Sequence, residues 1–139
     1  MIRSVAAKMG VREGARCYFL DPPDAVVLGC ELPVIERPDR LSGGFDLIVA
    51  FLKSQKRMRT QFGRLRRHLQ PGGALWICWP KNGQLGTDLS LARIIAIGYD
   101  GGLVESTALA IDATWSAIKF THPKPGKVYA NSFGRLPDQ

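Results

Sequence analysis

Two apolar runs, Phe45 to Phe51 (FDLIVAF) and Ala74 to Trp79 (ALWICW), constrain the fold of this chain more than any other feature. Each is short for a buried helix and too uniformly apolar for a strand with one face in water. Each therefore predicts a strand covered on both faces, the condition of strands inside a parallel sheet. Between them the period changes. From Ser54 the apolar residues Met58, Phe62, Leu65 and Leu69 fall on one helical face and the basic residues on the other, and the pattern ends at Pro71-Gly72-Gly73. Strand, helix and strand in that order imply a right-handed crossover, so the two runs are expected to be adjacent, central and parallel.

The flanking segments extend the same alternation. SVAAKMG suits a short helix capped by Ser4 and stopped by Gly10, and ARCYFL (15 to 20) reads as a strand. The DPPD that follows offers a cap and a first-turn proline for a short helix through Val26, Val27 and Leu28, with a second strand at Leu32 to Glu36. After a KNGQLG loop, Thr87 or Asp88 is expected to cap a helix carrying Leu89, Leu91, Ile94, Ile95 and Ile97, closed by Gly101-Gly102. Leu103 to Ile111 and Ala117 to Thr121 then form an antiparallel hairpin across DATWS. Together these elements predict a three-layer α/β/α sandwich over residues 1 to 121, and the Pro- and Gly-rich residues 122 to 139 are expected to be an arm or flexible tail.

A chain of 139 residues with 45% hydrophobic content can bury a core without metal or disulfide staples. Cys17, Cys30 and Cys78 are far apart in apolar surroundings, with no CxxC or Cys/His pairing. They are expected to be small buried hydrophobes in a reducing cytoplasm, with no metal site. The start MIRSVAAKMG lacks the apolar stretch of a signal peptide, and no run approaches the roughly 18 apolar residues of a membrane helix. The formal charge of +7 is strongly segregated. Residues 1 to 46 carry −1, residues 88 to 139 carry zero, and residues 47 to 87 carry +8 without a single Asp or Glu. Such a segment makes a local positive field, which bears on partners rather than on fold.

FDLIVAFLKS, a long helix and then LQPGGALWICWPK is similar to the middle of the class I methyltransferases that use S-adenosylmethionine, where a strand, a helix and an L-x-P-G-G turn lead to the next buried strand. More closely, GVREGARCYFLDPP, LQPGGALWICWPK, TDLS and DATWSAIKF together resemble a small bacterial family of stand-alone methyltransferase-like, Rossmann-like domains known only as a domain of unknown function. The likeness runs from about Lys8 to Thr121. It implies a six-stranded, mostly parallel sheet of order 2-1-3-4-6-5, with the sixth strand antiparallel and one strand of the full methyltransferase sheet absent.

The residues set limits on that resemblance. A turn that holds such a cofactor needs glycine, because a bare backbone admits the ligand and leaves N–H groups free to bind it. Here the turn is Asp21-Pro22-Pro23-Asp24, and no glycine occurs between Gly14 and Gly29. Two prolines remove donors, and the carboxylates oppose an anionic cofactor group, so no conventional cofactor is expected. Glu36 stands where an acid for a cofactor ribose would follow the second strand, although a lone glutamate there is more often a surface residue.

Open α/β sheets bind ligands beyond the carboxyl ends of their parallel strands. That edge is expected to collect Asp21, Asp24, Lys53, Ser54, Lys81, Asn82, Thr87, Asp88, Asp112, Thr114 and Trp115. Lys81 is either an anion hook or a surface lysine paired with a capping carboxylate. Trp76 and Trp79, three positions apart on one strand, face opposite sides. His68 and His122 have no nucleophile at motif spacing and read as surface residues. No catalytic residue is assigned.

Three functions remain open. The leading one is a degenerate methyltransferase-like module that binds a ligand or protein without catalysis. The second uses Lys56, Arg57, Arg59, Arg64, Arg66 and Arg67, on the helix of residues 54 to 69, to contact nucleic acid or an acidic partner. The third is an active methyltransferase with an altered cofactor loop.

Overall fold

In the computed structural model, residues 5–23 and 35–137 are described. A short helix α1 (Val5–Lys8) precedes strand β1 (Cys17–Leu20), and β2 (Phe45–Phe51), helix α2 (Gln55–Arg67) and β3 (Leu69–Pro80) follow. Helix α3 (Leu91–Asp100) then leads to the hairpin of β4 (Val104–Ala110) and β5 (Trp115–Thr121). The five strands form one sheet in the order β1-β2-β3-β5-β4. β1, β2 and β3 are parallel, and β5 is antiparallel to both of its neighbours. The two apolar runs are adjacent parallel partners at the centre of the sheet, with Leu47 opposite Ala74 and Phe51 opposite Cys78.

Side chains alternate between two cores, as the pleat requires. Ile48, Ala50, Leu75, Ile77, Trp79, Ile118 and Phe120 face α2 and α3, packing on Met58, Phe62, Leu65, Ile94, Ile95 and Ile97. Leu47, Val49, Phe51, Trp76, Cys78, Trp115 and Ala117 face the other way, with Ala6 and Met9 of the α1 segment. Trp76 and Trp79 thus lie on opposite faces, both buried. The indole N–H of Trp76 donates to the Met9 carbonyl at 3.0 Å, which fastens the α1 segment to the sheet.

Several boundaries differ from expectation for local physical reasons. The basic helix ends at Arg67 rather than at residue 69, because Leu69 already pairs with Phe45 and the His68 imidazole meets the Gly43 carbonyl at 2.6 Å. Pro71-Gly72-Gly73 therefore lies within β3. A β-carbon at Gly73 would stand 3.0 Å from the Phe45 and Asp46 carbonyl oxygens, so glycine is what lets the two strands close there. The cap of α3 is Ser90, whose hydroxyl accepts from the Arg93 N–H, and neither Thr87 nor Asp88. Leu89 consequently precedes the helix while remaining buried.

Among the described residues the sheet has five strands, not six. The expected second strand falls mostly on residues 32–34, which are outside the described residues, as are Ser4, Asp24, Cys30 and the expected helix at 26–28. Its last residue, Glu36, makes an isolated parallel bridge with Arg16. Residues 122–137 form no helix, and Tyr129 and Leu136 pack against the core on the α2–α3 side.

Candidate functional site

The carboxyl ends of β1 and β2, the bend before β5 and the turn at residues 81–86 surround a cavity of about 420 Å³. Its apolar wall is Pro23, Phe51, Leu52, Leu85 and Trp115, and its polar groups are Asp21, Lys53, Ser54 and Arg57. Phe51 and Trp115 meet edge to face with centroids 5.2 Å apart, a preferred aromatic geometry that fixes one side of the cavity. The Asp112 carboxylate accepts the N–H groups of Thr114 and Trp115 at 2.8 and 2.7 Å, so it shapes the bend that presents the tryptophan.

The opposite wall depends on strained backbone. Asn82 and Leu85 both have φ near +55°, a region that side chains with a β-carbon rarely adopt. The Gln84 side-chain amide donates to the Ala113 carbonyl at 3.1 Å and ties this turn to the hairpin bend. Leu85 is 59% exposed, the cost of placing an apolar side chain at the cavity rim.

Asp21 also has a left-handed backbone, with φ of 50°. Its carboxylate receives a 3.0 Å hydrogen bond from the Arg57 guanidinium, which reaches across from the first turn of α2. With Lys53 the lining carries one net positive charge. The Ser54 hydroxyl already accepts from the Arg57 N–H as the cap of α2.

The collection expected at this edge is thus divided by role. Asp21, Ser54 and Trp115 line the cavity together with Lys53. Thr87, Asp88 and Asp112 hold loops instead. The Thr87 hydroxyl donates to the Lys53 carbonyl at 2.7 Å, and Asp88 accepts the Gln55 N–H at 2.8 Å, placing its charge at the N-terminus of α2. Lys81 and Asn82 do not line the cavity, and Lys81 contributes a backbone N–H to the Thr114 carbonyl. Arg57 and Leu85 escaped the sequence reading of this edge. The helical period puts Arg57 among the candidate nucleic-acid or acidic-partner contacts instead, and no local pattern marks a leucine that adopts positive φ.

Glu36 is not at the ligand edge. Its bridge to Arg16 puts it beside the start of β1, where it pairs with the Arg16 guanidinium at 3.4 Å. The surface alternative is the one the geometry fits.

The six cations of α2 do not share one surface. At about 100° per residue, Arg57 and Arg64 fall on one flank, Lys56 and Arg67 on the crest, and Arg59 and Arg66 on the flank toward α3. Arg59 pairs with Asp100 at 3.6 Å.

Cys17 and Cys78 are buried free thiols. Burial, with the Asp46 charge adding to it, pushes the Cys17 thiol up to about 11, and burial raises Cys78 as well. Neither is a ready nucleophile. Among the described residues no group of three or more His, Cys, Asp or Glu gathers as for a metal ion. No helix among them is long and apolar enough to cross a membrane.

A scan against protein-family models and a comparison with curated proteins find no match. Solved structures do match. Magnesium protoporphyrin IX methyltransferase from Synechocystis PCC 6803 with bound SAH superposes with a TM-score of 0.55 at 11% identity, covering 86% of this chain and 78% of that one. N-methyltransferase NodS from Bradyrhizobium japonicum WM9 gives 0.53 at 17% identity over 81% of this chain and 88% of its own. A TehB-like SAM-dependent methyltransferase from Corynebacterium glutamicum gives 0.53 at 12%, covering 81% and 82%. At these identities the likeness establishes the fold alone. The chain has a methyltransferase-like α/β fold, the one shared by these class I enzymes.

Proposed function

We infer that this domain is a non-catalytic binding module, which takes a ligand in the cavity at the carboxyl edge without transferring a methyl group. The carrying observation is the turn after β1. Asp21 fills the place where a bare backbone would approach the cofactor, and its carboxylate is tied to Arg57 at the cavity lining. Pro22 and Pro23 follow it and offer no N–H. The described residues of this turn do not fit S-adenosylmethionine. Residues 1–121 are read as the module and 122–139 as its arm, within a small bacterial family of cytoplasmic methyltransferase-like domains.

One observation favours the enzyme reading instead. Arg57 neutralises Asp21, and Lys53 leaves the lining positive, so a ligand carboxylate is not repelled as the bare turn sequence suggests. Titration calorimetry with S-adenosylmethionine separates the two. A binding module of the kind proposed shows no heat at tens of micromolar. A dissociation constant in the low micromolar range, about −8 kcal/mol, transfers the cavity to cofactor binding. A thermal-shift screen of nucleotides and small carboxylates then seeks the ligand, since whatever binds only the folded state raises the melting temperature.

A further inference from the structure

The amino-terminal edge of the sheet, opposite the cavity, holds a second concave surface. The end of α2 and the residues after β5 enclose a groove of about 490 Å³ that includes Arg66, Lys124, Lys127 and Leu136. A second hollow of about 390 Å³ adjoins it through Arg66, with Arg67, Leu69, Pro71 and His122. Each lies within the size range of ligand pockets.

The cations here are held in place but not neutralised. Lys124 and Lys127 sit on one tight turn in which the Lys127 N–H donates to the Lys124 carbonyl and Gly126 has φ of +76°. Tyr129 organises that turn. Its hydroxyl accepts the Lys124 N–H at 2.9 Å, and the Lys127 ammonium lies 5.0 Å from its ring centroid. A β-carbon on Gly102 would stand 3.1, 3.2 and 3.3 Å from three atoms of the Arg66 guanidinium, so the planar group lies face-on against that glycine. Its N–H edges remain available. Among the described residues, Arg66, Arg67, Lys124 and Lys127 make no ion pair, and the one carboxylate lining the groove, Asp100, is engaged by Arg59.

We propose that this groove binds the phosphate backbone of a single-stranded nucleic acid, with the arm and the end of α2 as its two banks. Charge makes the partner a polyanion, since among the described residues four cations without an ion pair border one engaged carboxylate. The arm also supplies an exposed aromatic group, whereas Phe62 of the basic helix is buried. Phe133, three residues before Leu136 of the groove wall, is 52% exposed, as a stacking platform for a base must be. An acidic polypeptide would use the lysines but would not require that ring.

The test is fluorescence anisotropy of a labelled oligothymidylate with the full chain. Expected is binding at about 20 mM salt that weakens with a log–log slope near −3, at about −0.7 for each of four neutralised phosphates. Lys124→Glu/Lys127→Glu is expected to weaken binding at least about tenfold and to flatten the slope by about 1.4. Phe133→Ala is expected to lower affinity several-fold at unchanged slope. Arg12→Glu/Arg93→Glu changes net charge equally away from the groove and should leave affinity within about twofold. These side chains are exposed, so melting temperatures verify that every variant folds. The proposal is overturned by absence of binding at low salt, or by equal losses from the two charge-reversal pairs. Polyglutamate competing as well as the oligonucleotide, with Phe133→Ala silent, also overturns it and gives the groove to an acidic polypeptide.

Discussion

The two ends of the sheet use the same helix to opposite effect. At the carboxyl edge, α2 begins with Arg57 bound to Asp21, beside a cavity walled by Phe51, Trp115 and Leu85. At the amino edge, it ends with Arg66 and Arg67 beside hollows bordered by proline, glycine and lysine, where among the described residues no ion pair neutralises them. One site is fixed by packed rings and hydrogen-bonded turns, and the other by an irregular arm laid over the core. A helix that crosses from one edge of a parallel sheet to the other delivers charge to both. The +8 of residues 47 to 87 therefore measures how much positive charge the chain carries there and says nothing about whether it forms one surface.

The largest expected effect belongs to the packed end. Trp115→Ala removes a side chain only 5% exposed and its edge-to-face partner, leaving a void against Phe51. A loss of about 3 to 5 kcal/mol in urea unfolding is expected, as for other buried aromatic truncations. Arg66→Ala at the other end should change stability by under about 0.5 kcal/mol. Similar losses from the two would mean that the amino edge is as tightly packed as the carboxyl edge.

The next effect comes from the thiols beneath the two ends. Cys17 begins β1, and Cys78 lies near the end of β3. With its folded-state value raised from 9.0 to about 11, Cys17 keeps its proton in the native state while the unfolded chain has lost it. Stability from this group is complete below about pH 9 and declines as pH rises toward 11, by roughly 1.4 kcal/mol per unit. Cys78, and Tyr99 raised by burial and by Glu105, add to the same alkaline loss. Urea unfolding at a series of pH values is expected to show this decline, and Cys17→Ala should make it shallower. A decline of equal slope in the variant would remove Cys17 from the account.

What was legible in the sequence follows the same division. Period and composition gave the central strands, the amphipathic helix and the closing hairpin, because burial on one or two faces leaves a repeating trace along a strand or helix. The cap of α3 was misplaced by two to three residues because Thr87 and Asp88 are good local caps that a distant segment claims, through the Lys53 carbonyl and the Gln55 N–H. Side chains that hydrogen-bond across more than thirty residues cannot be told from local caps by spacing. The same limit hid Arg57, whose partner Asp21 lies 36 positions away. Topology alone gathered Asp21, Ser54 and Trp115 at one edge, but which loop residues face inward depends on backbone angles, such as those of Leu85, that composition does not reveal.

Leu85 offers a smaller effect that sharpens the contrast at the cavity end. Leu85→Gly relieves a left-handed backbone that costs a non-glycine residue about 1 kcal/mol or more. It buries little, being 59% exposed, so a net gain of up to about 1 kcal/mol is expected despite the added flexibility of the unfolded chain. If Leu85 is retained for a ligand, the same variant should weaken binding of any ligand that the thermal-shift screen finds. Higher stability with undiminished binding would show that the rim leucine does not touch it.

The smallest expected change in stability falls on the residue that bears most on function. Asp21→Gly removes a positive-φ penalty of about 1 kcal/mol and, with it, an ion pair whose partners are 46% and 53% exposed. Pairs so exposed contribute between zero and about 1 kcal/mol, so the two terms nearly cancel and the melting temperature should move by only a few degrees. Ligand affinity responds differently to each part. The substitution clears the space beside the turn and frees Arg57, raising the positive charge of the cavity lining by one. Pro22 and Pro23 still offer no N–H, so the donors of a phosphate- or carboxylate-holding turn are not restored. The variant is therefore expected to bind small carboxylates more tightly in low salt while remaining without measurable affinity for S-adenosylmethionine by calorimetry. Micromolar affinity gained by this single change would mean that the Asp21 side chain alone, and not the missing donors, keeps the cofactor out.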